Sequence, residues 1–239
     1  MDLPILYEDA DIVAVNKPAG LLTHSAPPKQ GGDGSGETAE EWFKAKYPNV
    51  MLERPYVHRL DRDTSGVLIF AKNEGAWDFL RKAFTDREVK KTYLAVVYGV
   101  PSEKKGVIDF DIGRSRKDFR LRSAQPKARG TLRAAITHYE IIGETEEAGQ
   151  RYALLELYPE TGRTHQIRVH LKAIHHPVVC DPLYAPNYAG TLGLSRMALH
   201  AYKLDIPLPV GGRTEVVAPL PHDLQRMIGR FSAKYEVAA

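Results

Sequence analysis

Cysteine is almost missing from this chain of 239 residues, with Cys180 the single example. One thiol excludes a disulfide within the chain, and without a second there is no thiolate cluster to hold zinc. Cys180 follows Val178-Val179 and reads as a small buried apolar residue. No apolar run reaches the eighteen or so residues that a membrane-spanning helix needs. Met1-Asp2-Leu3-Pro4 lacks the basic-then-apolar pattern of a leader peptide. The expectation is therefore a cytoplasmic protein, with no membrane partner and a monomeric state by default. Charge of one sign is scarce as well. Lys and Arg number 33 against 30 Asp and Glu, a net charge of +3. The chain is no general polycation, so any surface for polyanions must be local. Gly32, Gly34 and Gly36 are not followed by Gly-Lys-Ser/Thr, which excludes a phosphate loop. His165, His170, His175 and His176 lack the His-Glu-x-x-His spacing of a zinc helix, and no metal site or cofactor is expected. Internal repeats, low-complexity tracts and long linkers are absent too, so residues 1–239 are expected to form a single domain.

What the chain does contain is concentrated in His58-Arg59-Leu60-Asp61-Arg62-Asp63-Thr64-Ser65-Gly66, followed by Val67-Leu68-Ile69-Phe70-Ala71. A charged, hydroxyl-bearing loop runs directly into an apolar segment that reads as a buried strand. A buried strand gives the loop ahead of it a rigid base. Asp61 and Asp63 alternate with Arg59 and Arg62, and a neighbouring guanidinium favours the ionised form of a carboxylate. Upstream, Ile5-Leu6-Tyr7 and Ile12-Val13-Ala14-Val15 read as strands, broken by Asn16-Lys17-Pro18-Ala19-Gly20. Thr38-Ala39-Glu40-Glu41 has the form of a capping box and predicts a helix to about Tyr47, just ahead of Pro48. Ala76 to Phe84 has helical spacing, with Ala76, Phe79, Leu80 and Phe84 expected to face the core. Further strands are expected at Lys90–Gly99, Tyr152–Leu157, from Ala198, and on either side of Gly211-Gly212, with a closing helix from Asp223 to Tyr235.

His-Arg-Leu-Asp-x-x-Thr-Ser-Gly resembles the signature of the RluA-type pseudouridine synthases. Two further segments resemble the same family in the same order: Lys91-Thr92-Tyr93-Leu94-Ala95-Val96-Val97-Tyr98-Gly99, and Thr161-Gly162-Arg163-Thr164-His165-Gln166-Ile167-Arg168-Val169-His170-Leu171. Asn16-Lys17-Pro18-Ala19-Gly20 resembles the family's opening, although Ser25-Ala26 separates His24 from Pro27 where relatives often have His-Pro. The resemblance runs from about Ile5 to about Pro219. It implies an α+β fold, with a mixed, largely antiparallel sheet and flanking helices around a central cleft. It implies a stand-alone catalytic domain without the family's S4-type RNA-binding domain. It also implies isomerisation of a uridine to pseudouridine in tRNA or ribosomal RNA. On that footing Asp61 is the key catalytic residue, Tyr93 the active-site tyrosine and Arg168 the partner of Asp61, with Leu199 packed near the base. Arg59 is expected to fill the space left by the flipped base. Whether Asp61 attacks the sugar or promotes elimination to a glycal is left open by the sequence.

Eight cations fall between residues 114 and 133: Arg114, Arg116, Lys117, Arg120, Arg122, Lys127, Arg129 and Arg133. Only Asp118 opposes them. Such a run is ordinarily a solvated face. Beside a suspected RNA enzyme it reads as an arm that contacts phosphates, which supply affinity and register rather than sequence readout. Two rivals stand against the synthase. A catalytically silent RNA-binding module would explain the basic run, but it needs no carboxylate beside Tyr93 and Arg168. A glycoside hydrolase needs two acids flanking the bond. Asp63 is the one second acid near Asp61, and the basic arm would then have no purpose.

Overall fold

The protein is described by a computed structural model over residues 2–25, 37–116, 121–124 and 128–231. The first half runs β1 (Ile5–Glu8), β2 (Ile12–Lys17), α1 (Ala39–Lys46), β3 (Ser65–Ala71), α2 (Glu74–Thr85), β4 (Lys90–Tyr98), β5 (Lys105–Asp109) and β6 (Ile112–Ser115). The second half runs β7 (Arg122–Ala124), β8 (Ala128–Arg133), β9 (Ile136–Glu147), β10 (Gln150–Pro159), α3 (Gln166–Ala173), β11 (Leu199–Pro207), β12 (Arg213–Val217) and α4 (His222–Ile228). The class is α+β, dominated by sheet. The chain divides into two compact units, unit 1 from residues 1–90 and 201–219, and unit 2 from residues 91–200 and 220–239.

Unit 1 is built around β3. All seven of its residues are buried, as an uninterrupted apolar strand demands. Val67, Ile69 and Ala71 face Ala76, Leu80 and Ala83 of α2, together with Leu204, Ile206 and Val216. On the opposite face Phe70 stacks on Phe43 of α1, with ring centroids 4.8 Å apart. β2 runs antiparallel to β3, from Ile12 opposite Ala71 to Lys17 opposite Gly66. The capping box forms as its sequence requires: Glu41 N–H donates to Thr38 Oγ1 (3.1 Å) and Thr38 N–H donates to Glu41 Oε2 (2.9 Å). One helix expectation is corrected. Phe79 is 37% exposed, and Ala83 takes the inward position beside Ala76 and Leu80. The inward stripe is centred on those two alanines and Leu80, and Phe79 lies roughly 60° to one side of it.

In unit 2, β4, β10, β9 and β5 form an antiparallel series, with Tyr93 opposite Leu157 and Leu157 opposite Tyr139. A second small sheet has the order β7-β6-β8. It packs on α3 through Ile112, Ala124, Val169 and Tyr184. On α3, Ile167 and Leu171 are buried, and Ile174 at its end is half-buried. The helix is short and enclosed, so Arg168, Val169 and His170 are buried as well.

Candidate active site

Asp61 begins a tight turn. The Thr64 N–H donates to its carbonyl (3.1 Å), and Ser65 then opens β3. The main chain on either side of Asp61 is fixed from a second segment, residues 16–23. Ahead of it, Leu60 is gripped twice by the buried Thr23 hydroxyl, which donates to Leu60 O (2.9 Å) and accepts from Leu60 N–H (3.2 Å). Behind it, Arg62 O accepts from Gly20 N–H (2.9 Å) and from Lys17 Nζ (3.1 Å), and Arg62 Nε donates back to Gly20 O (3.1 Å). Lys17 is wholly buried, and its ammonium also donates to Pro18 O (2.9 Å) and Leu21 O (2.8 Å). Its three donors thus converge on three carbonyls, which ties the 16–21 loop to the Asp61 turn. His58 supports the same loop from outside: Ile69 N–H donates to His58 Nε2 (3.1 Å), and the ring stacks on Phe84. That acceptor role leaves the ring proton of a neutral His58 on Nδ1. Gly66 is required at the loop's exit. Its φ is +119°, and a Cβ there would lie 2.1 Å from Ala201 O.

Arg59 is exposed, beside the ring pair His24–Tyr56, whose centroids are 4.9 Å apart. Burial, with the Arg59 charge second, holds the pKa of His24 below its ordinary value.

In unit 2, Tyr93 lies half-buried on β4 and Leu199 lies buried at the head of β11. Helix α3 starts at a left-handed residue, His165 (φ +57°), and Gln166 anchors its first turn. Gln166 Oε1 accepts from Thr161 Oγ1 (2.7 Å) and Arg163 N–H (3.0 Å), while its Nε2 donates to Ile136 O and Thr137 Oγ1 (3.0 Å each). Two residues on, Arg168 is buried and makes a two-pronged pair with Asp181. Its Nε donates to Oδ2 (2.7 Å) and its Nη2 to Oδ1 (2.9 Å). Asp181 Oδ1 also accepts from the N–H groups of Leu183 (2.9 Å) and Tyr184 (3.0 Å). The Tyr184 ring lies 5.1 Å from the Arg168 guanidinium carbon. A planar cation held edge-on by a carboxylate and face-on by a ring has one orientation left to it.

A family model described as RNA pseudouridylate synthase matches residues 11–173. The chain belongs to the RNA pseudouridine synthase family. Members are isomerases that act on RNA. This synthase is 41% identical over 229 residues to an uncharacterized RNA pseudouridine synthase of Mycobacterium bovis, covering 95% of this chain and 72% of that one. It is 37% identical over 242 residues to the ribosomal large subunit pseudouridine synthase D of Neisseria meningitidis serogroup B, covering 95% of this chain and 61% of that one. Among solved structures it is similar to human RNA pseudouridylate synthase domain containing 1, with a TM-score of 0.77, 29% identity and coverage of 97% of this chain and 89% of that one.

Within this synthase the expected residues are distributed between the units. Asp61 and Arg59 belong to unit 1; Tyr93, Arg168, Leu199 and the basic arm belong to unit 2. Arg114, Arg116 and Arg129 are exposed and Arg122 is half-buried, on or beside the small sheet. Lys117, Arg120 and Lys127 lie outside the described residues. Among the described residues no group of three or more His, Cys, Asp or Glu gathers as metal ligands would. Three contributors were not singled out from sequence: Lys17, Thr23 and Asp181. A signal existed for Lys17. The period of two in β2 puts it on the same face as Val13 and Val15. Asp181 had no such signal, because it meets Arg168 across a loop rather than within an element.

Proposed function

We propose that this synthase converts a specific uridine of tRNA or ribosomal RNA to pseudouridine, with Asp61 as the key catalytic residue. The observation that carries this reading is the fixed main chain on both sides of Asp61, at the centre of the family signature. A reacting carboxylate must meet the ribose–uracil bond at a set distance, and a clamped turn supplies that placement. In the reaction the C1′–N1 bond breaks, the uracil turns, and a C1′–C5 bond forms. The proton leaves C5 and N1 gains one, so the change is an isomerisation with no net oxidation. The target base must first leave its stack, at a cost of a few kcal/mol.

Asp61 acts at the ribose–uracil bond, and Arg168 is its cationic partner. Tyr93 holds the uracil and assists removal of the C5 proton. Leu199 lines the base pocket, and Arg59 fills the gap left in the RNA. Residues 1–239 act as one catalytic domain, monomeric and cytoplasmic. The likeness to a ribosomal large subunit synthase supports a ribosomal RNA hairpin, and the basic arm serves a tRNA stem-loop equally well.

The test is to incubate the protein with unmodified total tRNA and, separately, with unmodified ribosomal RNA fragments, and to map pseudouridine by carbodiimide chemistry. New pseudouridine at one position of one pool is the expected result. Binding to both pools with no new pseudouridine in either would contradict the proposal and favour a silent RNA-binding module.

A further inference from the structure

The small sheet of unit 2 places like charges directly opposite one another. In β6, Arg114 faces Arg122 of β7 on one side and Arg129 of β8 on the other. Residues directly opposite in antiparallel strands project from the same face, so three guanidiniums form a single rung across three strands. With strands about 4.8 Å apart, the rung is roughly 10 Å long. Like charges so placed weaken a sheet. Among the described residues no carboxylate pairs with any of the three to offset this. Two of the three side chains are exposed, whereas Ile112 and Ala124, the next pair on the same face and two residues along the strands, are buried against α3.

The rung is tied to the candidate active site inside the same unit. The backbone N–H of Arg122 donates to Tyr184 Oη (3.0 Å), and that oxygen also meets His165 Nδ1 (2.9 Å). The Tyr184 ring in turn carries Arg168 on its face. One tyrosine therefore fixes the spacing between the rung and Arg168.

We propose that Arg114, Arg122 and Arg129 form a phosphate-binding rung that grips the backbone of the substrate RNA at a fixed distance from Arg168. A row of fixed cations matches a regularly repeated anion, which a phosphodiester chain provides and a folded acidic protein does not. Guanidinium is also the side-chain group best matched to phosphate oxygens. The rung supplies affinity and register without reading bases. This inference rests on the synthase reading above.

The test measures binding of two unrelated 20-nucleotide RNAs to the full chain across a potassium chloride series. Wild type, Arg114→Gln, Arg129→Gln and the double variant are compared with Arg151→Gln, which removes a charge paired with Glu144 elsewhere in unit 2. Each rung substitution is expected to lower the slope of log affinity against log salt by about 0.7, equally for both RNAs. Arg151→Gln should leave the slope at the wild-type value. The thermal midpoint of the rung variants should match or exceed wild type, since like-charge repulsion is relieved. Polyglutamate should not displace the RNA. An unchanged slope in the double variant, a loss confined to one RNA, or displacement by polyglutamate would overturn the rung. Pseudouridine formation by wild type separates the two claims. Product with an unchanged slope refutes the rung alone, and a rung-dependent slope without product refutes the synthase assignment alone.

Discussion

Asp61 and Arg168 are held by opposite means. In unit 1 the turn that carries Asp61 is clamped through main-chain groups by Lys17, Gly20 and Thr23. In unit 2 the side chain of Arg168 is itself clamped, edge-on by Asp181 and face-on by Tyr184. The difference follows from the two side chains. Aspartate is short, so fixing its backbone nearly fixes its carboxylate. Arginine has a long, rotatable stem, and only contacts at the guanidinium can orient it. Supporting residues for short catalytic groups should therefore be sought along the backbone of their loop, and those for long ones at the tip.

The comparison is sharpened most by Asp181→Asn. It keeps the shape but leaves Arg168 a buried cation without its carboxylate, and breaking such a pair costs about 4 kcal/mol. Chemical denaturation should show that loss, and kcat should fall far more than KM rises, because the guanidinium proposed to pair with Asp61 loses its orientation while RNA affinity is kept. Next comes Lys17→Met. Three carbonyls lose their donor while the cost of burying the cation is relieved, a net loss of about 3 kcal/mol. Here amide exchange should accelerate in residues 16–23 and 60–64 and remain at wild-type rates in α3. Equal acceleration in α3 would break the distinction between the two clamps.

Thr23→Val is smaller. It leaves Leu60 N–H and C=O without their buried hydroxyl, at about 2 kcal/mol. Its pattern of exchange should resemble that of Lys17→Met. Smallest is Tyr184→Phe, which keeps the ring under Arg168 but removes the oxygen shared by His165 and Arg122. A loss of about 1 kcal/mol is expected in thermal unfolding. Single-turnover rate should fall less than in Asp181→Asn; a larger fall would mean that the hydroxyl, not the carboxylate, sets the guanidinium.

Sequence reading reached the parts of this molecule that depend on local pattern. The apolar run after Gly66 had to be a buried strand, and Thr38-x-x-Glu41 had to cap a helix. The three family segments are the basis on which Asp61, Tyr93 and Arg168 are proposed as site residues. What escaped depended on contacts between distant segments. A lysine in a strand-to-loop passage reads as exposed, since lysine is almost never fully buried unless paired. Lys17 is buried because three carbonyls from residues 18, 21 and 62 happen to surround its tip. The basic run was legible as charge. Its arginine rung was not, because an irregularity in the β6–β8 pairing between Ile112 and Arg114 sets which residues meet. Phe79 shows the limit of helical spacing, for an alanine a few positions on took the inward place.

The account turns on Asp61, and the most direct measurement is tritium release from RNA carrying [5-³H]uridine, under single turnover, for wild type and Asp61→Asn. RNA binding is measured in the same samples. The account predicts release by wild type and a loss of at least a thousandfold in Asp61→Asn, about 4 kcal/mol of barrier, with RNA affinity within about threefold of wild type. Release by Asp61→Asn at a rate near wild type, or its abolition by Asp63→Asn in place of Asp61→Asn, would contradict it.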